Sequence, residues 1–257
     1  MRDTDRHSEL QIPGSRFNVA VVFALPAEFS LWRRRRVFRC ARTPGPQIYE
    51  AGIGRAALRV AFSGIGAPDP RRLAETLLAG PADAVIVAGA AGGLKPRYRR
   101  GEVVVATRVK TTASSRLVAA DDRMLALASQ CGATVVDSFL TVDRMVLHAG
   151  EKMALGRDAD AVDMESFVVV SEAARHAIPA VAIRVIADTA EEDLPLDLTS
   201  AIRPDGTISA QRAALHAVSR PARWPALVRA GLSYRRALGE LARFLDRFVS
   251  SLGSGAL

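Results

Sequence analysis

Aromatic residues are scarce, at 5% of this 257-residue chain. Several other marks of protein classes are missing too. Only two cysteines occur, Cys40 and Cys131, at no metal-binding or redox spacing. A disulfide-stapled fold is excluded, and the pair reads as unpaired thiols of a reducing compartment. The four histidines are scattered, with no i,i+4 pair to hold an ion, so no metal site is expected. No apolar run reaches the roughly 18 residues of a membrane span. Met1 to Arg16 is polar and mixed in charge, without the apolar core of a signal peptide. It is expected to be a disordered leader. These absences lead us to expect a cytoplasmic protein.

What is abundant is apolar and basic. Apolar residues make up 49% of the chain, enough to bury a full core, so residues 17–257 are read as one domain. Alanine and valine dominate that fraction, which suits close packing of helices on a sheet. The formal net charge is +8 and is unevenly placed. From Ala201 onward there are nine arginines against Asp205, Glu240 and Asp246. Arg33 to Arg36, with Arg39 and Arg42, form a second cluster that contains no acid. Such clusters meet phosphate or an anionic membrane, or simply form a solvated face. Without interleaved aromatics or a nucleic-acid motif, nucleic acid is not an expected partner.

Continuous apolar runs alternate with helical patterns. Val19 to Leu25 reads as a buried strand, and Pro26 suits the first turn of a helix carrying Glu28 and Trp32. Ile48–Ile53 and Ala57–Ser63 read as strands joined by a Gly-Arg turn. Pro70 to Ala79 has helical spacing. Ala84 to Ala88 is a buried strand, expected to end in a Gly89–Gly93 turn. Glu102–Val109 and Thr134–Val142 are further strands, with a helix over Asp121–Gln130 between them. Ala159–Val162 is a short strand, Glu165–His176 a helix closed by Pro179, and Ala180–Ala187 the last buried strand. The alternation predicts a three-layer αβα sandwich with a mixed central sheet. Glu191 to Asp205, rich in Pro and Asp, is a candidate lid.

Two acidic signatures sit at the edges of these runs: Asp163-Met164-Glu165-Ser166 and Arg184-Val-Ile-Ala-Asp188-Thr. A carboxylate where a buried strand ends is costly unless it is paired or functional. Neighbouring strand ends are where open α/β sheets place their chemistry.

These segments resemble those of the purine nucleoside phosphorylase and methylthioadenosine/adenosylhomocysteine nucleosidase superfamily. Asp163–Ser166 is similar to its (E/D)-M-E signature, and Arg184–Ala190 to its R-x-I-S-D-x-A strand. Ala88–Leu94 resembles T-G-S-A-G-G-L, and Ser63–Gly66 matches S-G-I-G. The four segments occur in the family's order. The resemblance implies cleavage of a purine N-glycosidic bond, with no cofactor. Asp188 falls on the aspartate that protonates the purine. Glu165 falls on the ribose-binding glutamate, whose carboxylate can accept both sugar hydroxyls. Met164 matches the residue packed on the sugar. Phe23–Glu28 aligns with the G-A-M-x-x-E start of the nucleosidases, which puts Glu28 on the glutamate that activates water. Ala90, Ala91 and Gly92 are implied in substrate binding. Asp143-Arg-Met145-Val146 stands where nucleosidases have D-A-F-I, so Met145 and Val146 would line the base pocket.

The departures are Phe23 for the glycine of the first turn, Ala90 for the turn serine and Ala187 for the serine before the aspartate. Water is the favoured nucleophile, because apolar Val85-Ile-Val87 occupies the place of a phosphorylase arginine. Inorganic phosphate is the co-substrate if the chain is a phosphorylase, with an arginine of the Arg33–Arg36 cluster or of a neighbouring subunit to hold it. Binding of a membrane or of nucleic acid without catalysis, motivated by the basic clusters, is the third reading.

Asp163 and the run Asp188–Asp197 resemble the hopanoid-associated phosphorylase-like proteins. That resemblance implies adenosylhopane as substrate. It also implies a homo-oligomer, as in the wider family. Residues 220–257 form a basic amphipathic segment, with Leu238, Leu241, Leu245 and Phe248 on one helical face. This face would pack on the sheet, or lie at the inner membrane with Trp224 and the arginines.

Overall fold

The computed structural model describes residues 17–41, 47–67, 69–78, 80–197, 199–209, 211–212, 218 and 224–253. The expected leader, Arg42, and residues 220–223 of the C-terminal segment lie outside the described residues. In chain order the strands are β1 (Phe17–Phe23), β2 (Arg39–Cys40), β3 (Tyr49–Ile53), β4 (Ala56–Phe62), β5 (Ala84–Gly93), β6 (Val103–Thr111), β7 (Ser114–Ala119), β8 (Thr134–Thr141), β9 (Ala161–Asp163) and β10 (Ala180–Asp188). The α-helices are α1 (Pro26–Arg33), α2 (Pro70–Leu78), α3 (Asp122–Gln130), α4 (Ala149–Leu155), α5 (Ser166–Arg175) and α6 (Trp224–Leu252).

All ten strands join one mixed sheet. β1 lies parallel to β4 and β5, and β5 parallel to β10. β10 meets β6 antiparallel, β6 and β9 flank β8 in parallel, and β9 returns antiparallel to β5. Five strands therefore close a circuit, while β4, β3 and β2 extend the sheet on the far side of β1. On one face, side chains of α1, α3 and α6 join a core with Val19, Val21, Ile86 and Ile183. On the other, Leu73 and Leu77 of α2 and Val169, Val170 and Ala173 of α5 cover Val85, Val87 and Ile186. The layers are the expected αβα sandwich with a mixed sheet.

Sequence reasoning located the central elements and the short strand β9, and missed β2, β7 and α4. β7 is mostly exposed, so it lacks the apolar run that identifies a buried strand. α4 has seven residues and too few apolar positions to show a period. The expected Gly89–Gly93 turn is a correction. These residues are strand, paired with Arg184–Asp188 of β10 and Ala161–Val162 of β9. The positive-φ glycines lie elsewhere, at residues such as Gly64 and Gly66. Glycines 89 and 92 are required for space rather than for turning.

The few aromatics are concentrated. Phe23, Phe29, Trp32, Phe38, Tyr49 and Phe62 pack around α1, with Phe29 and Phe38 rings 4.8 Å apart, edge to face. Phe23, which stands where the family has a glycine, ends β1 as extended backbone inside this cluster. α6 is buried from Ala237 to Leu252, where Leu238, Leu241, Leu245 and Phe248 fill the core. Asp246 on this stretch accepts from Trp32 Nε1 at 2.8 Å and from Arg35 and Arg36. The packing alternative thus holds for residues 237–252, and part of the arginine cluster is committed to Asp246. From Trp224 to Arg236 no residue is fully buried, although Tyr234 packs against the core, and Trp224, Val228 and Leu232 expose half or more of their surface on one stripe.

Candidate active site

Strand ends and one helix start bring three carboxylates around β5. Pro26 starts α1 directly after β1, which places Glu28 in its first turn, 7% exposed. Glu28 Oε2 accepts from the N–H groups of Ala24 (3.1 Å) and Leu25 (3.3 Å). Its Oε1 accepts from Ala90 N at 2.9 Å. Burial pushes its carboxyl above the usual range, opposed by Arg184 and these three donors.

Glu165 stands at the junction of β9 and α5. Its Oε1 accepts from Gly66 N at 3.0 Å, in the loop after β4 where Gly64 and Gly66 both adopt positive φ. Burial also raises its carboxyl strongly; Asp163 and Glu28 add to the rise and Arg184 opposes it.

Arg184, fully buried in β10, joins these groups. Its Nε donates to Asp163 Oδ2 (2.9 Å) and its Nη2 to Ser166 Oγ (3.0 Å), with Glu165 Oε2 at 3.5 Å. Asp163 is in turn held by Thr141 Oγ1 at 2.8 Å. The remaining nitrogen, Nη1, is buried and has no protein partner. It flanks Gly89: a Cβ there would lie 2.3 Å from Nη1 and 2.6 Å from Glu28 Oε1. An unpartnered donor of a buried cation beside an elevated carboxylate is a seat for a small polar ligand. Arg184 belongs to the motif singled out in the sequence, but its hydrogen-bond partners all lie in Asp163–Ser166, and Gly89 and Glu28 flank its remaining nitrogen, so no local pattern shows its surroundings.

Asp188 ends β10 opposite Gly92, where a Cβ would lie 3.2 Å from its Oδ2. That oxygen accepts from Lys152 Nζ of α4, a lysine with no exposed surface. Burial pushes the Asp188 carboxyl up, and Lys152 pulls it down. Nothing in the sequence reading singled out Lys152. Tyr234, half-buried against the core from the N-terminal half of α6, was also missed. Burial, then Glu28 and Glu165, hold its phenol well above the ordinary range.

Of the remaining expected residues, Ala90 supplies the N–H on Glu28, and Gly92 supplies space beside Asp188. Ala91 packs its side chain in the core under α2 and α5. Val146 is buried with Leu94, Leu140 and Val162, and Met164 packs on the same cluster; Met145 is half-buried beside it. Among the described residues, no cluster of His, Cys, Asp or Glu is placed to hold a metal ion. No described helix is long and apolar enough to cross a membrane.

The model of the phosphorylase superfamily matches residues 18–219, and the chain belongs to that family. It is an enzyme of the nucleosidase and nucleoside phosphorylase type, which cleaves nucleoside N-glycosidic bonds. No curated protein matches in sequence. Solved structures share the fold. The 5′-methylthioadenosine/S-adenosylhomocysteine nucleosidase of Neisseria meningitidis, in complex with methylthio-immucillin-A, is 22% identical with a TM-score of 0.66 over 91% of this chain and 99% of that one. The Campylobacter jejuni nucleosidase of the same name is 14% identical with a TM-score of 0.69 over 91% and 99%. The futalosine hydrolase of Helicobacter pylori is 16% identical, with a TM-score of 0.68 over 91% and 98%.

Proposed function

We propose that the protein hydrolyses the N-glycosidic bond of an adenine nucleoside, with Asp188 as general acid and Glu28 as general base. The observation that carries this reading is that buried Glu28 Oε1 and the unpartnered Arg184 Nη1 lie on the same side of Gly89, both against the place a Cβ would take. A water seated there gives a proton to Glu28, whose raised carboxyl is suited to accept it. A phosphate dianion at the same place would lie against a buried carboxylate with one arginine donor to balance it, so water is favoured.

Glu28 lies at Gly89 and Asp188 at Gly92, three residues further along β5. The nucleoside lies between them, with its base at Asp188 and its sugar between Glu28 and Glu165. Asp188 donates its proton to the purine ring as the C–N bond electrons pass to the base. Water oxygen bonds to the anomeric carbon and loses its proton to Glu28. Glu165 accepts the sugar hydroxyls and stabilises the cationic sugar.

The substrate we favour is adenosylhopane, on the resemblance of Asp163 and of Asp188–Asp197 to the hopanoid-associated proteins. The exposed stripe Trp224–Val228–Leu232, with Arg229, Arg235 and Arg236, supports contact with an anionic membrane that would hold such a lipid. The test is adenine release from a 5′-alkyl adenosine or adenosylhopane, with and without inorganic phosphate. Release without phosphate is expected; strict dependence on phosphate would make the enzyme a phosphorylase and remove the base role from Glu28.

A further inference from the structure

Lys152 is one of only three lysines in the chain, and it has no exposed surface. Its ammonium group carries three donors, and all three have oxygen partners: Asp188 Oδ2, the Glu192 carbonyl at 2.7 Å and the Thr189 carbonyl at 3.2 Å. The surroundings are fixed as well. Asp193 Oδ1 accepts from Ala149 N at 2.8 Å at the start of α4, and Leu194 N donates to Leu147 O at 2.8 Å. Glu192 is held by Arg100 and by Thr189 N. A buried lysine is costly unless its charge is used, and this one is aimed at a single carboxylate oxygen.

We propose that Lys152 is a positioning residue for the glycosidic cleavage: it anchors Asp188 Oδ2 and leaves Oδ1 to carry the proton to the leaving base. The charge of the lysine also favours the carboxylate form of Asp188. The inference rests on the reading that Asp188 is the general acid. When Asp188 gives up its proton, the new carboxylate, itself largely shielded from solvent, lies against a fixed and fully buried cation. That interaction is stronger in the transition state than in the protonated ground state. Three charged groups face Asp188: Lys152 from α4, Glu192 from the following loop and Arg100 from the loop after β5. Lys152 and Arg100 favour the carboxylate, and Glu192 opposes it.

The test compares Lys152→Gln and Lys152→Met with Lys152→Arg and Asp188→Asn, using the pH profile of kcat/KM for adenine release. The basic limb reports loss of the Asp188 proton. Removing the positive charge weakens the acid, so the limb of Lys152→Gln moves up by about one pH unit or more, and kcat falls about ten- to a hundredfold. Lys152→Arg keeps the charge and holds the limb near its wild-type position. The limb position does not depend on the fraction of folded enzyme, so partial misfolding of one variant leaves the comparison intact. If Lys152→Gln and Lys152→Met lower activity and melting temperature but leave the limb in place, the lysine is only structural and the inference falls. If Asp188→Asn retains full turnover, the general-acid reading itself falls, and this inference with it.

Discussion

At the residue scale, the site depends on absent side chains as much as on present ones. Gly89 leaves room for Arg184 Nη1 and Glu28 Oε1, so Gly89→Ala forces two buried charged groups to move. We expect Gly89→Ala to reduce kcat/KM at least a hundredfold and to destabilise the fold by about 1–3 kcal/mol. Kinetics and denaturant melts of the same preparation read both effects. Asp188→Asn keeps the shape of the carboxyl but cannot supply its proton. A loss of roughly 10²–10⁴-fold in kcat is expected, with KM changed far less. Glu28→Gln should fall in the same range while still binding substrate, and a KM effect without a kcat effect would argue against its role as base. The acids themselves were legible in the sequence, because each ends or follows an apolar run. Lys152 was not, because nothing local distinguishes a lysine on a short polar helix from a solvated one.

At the scale of elements, α6 does two different things along its length. Its C-terminal half is core, and Asp246 there ties it to Trp32 of α1 and to Arg35 and Arg36 just after that helix. Removing that carboxylate strands the buried indole N–H, so Asp246→Ala is expected to cost about 1–3 kcal/mol. A melt unchanged by this substitution would show that water replaces the carboxylate at no cost. The helical period of Leu238, Leu241, Leu245 and Phe248 made the buried face readable in advance. The period could not say where burial stops, because Leu227, Val228 and Leu232 continue the apolar content of the helix beyond the last core residue. β5 shows the opposite limit. Its glycines read as a turn from composition, yet pairing with β10 on one side and β9 on the other keeps them extended.

Over the whole molecule, the distribution of charge sets how stability responds to pH. Glu28, Glu165 and Asp188 have carboxyls raised by burial. The folded state therefore binds more protons than the unfolded one. Their contribution is fully present below the unfolded value, near pH 4, and is lost as pH rises through the folded values. Asp160 behaves oppositely. Burial would raise it, but Lys95, Tyr98 and the Ser138 N–H bring it to about 2, so its contribution is lost only as pH falls toward that value. Stability should be greatest in mildly acidic solution and decline on the alkaline side. Urea midpoints of the ligand-free protein at pH 5.5 and 8.5 check this, and Glu165→Gln should narrow the gap between them. By itself, the sequence determined the αβα class, the order of the central strands and helices, and the acidic residues to examine. These follow from apolar periodicity and from the cost of placing a carboxylate at a buried strand end, both of which act over a few residues. Only the tertiary structure decided that Arg184 keeps one free donor beside Glu28, that Gly89–Gly93 is strand, and that Lys152 holds Asp188. Each of these depends on segments far apart in the chain, brought within hydrogen-bonding distance by the pairing of β5 with β10 and β9.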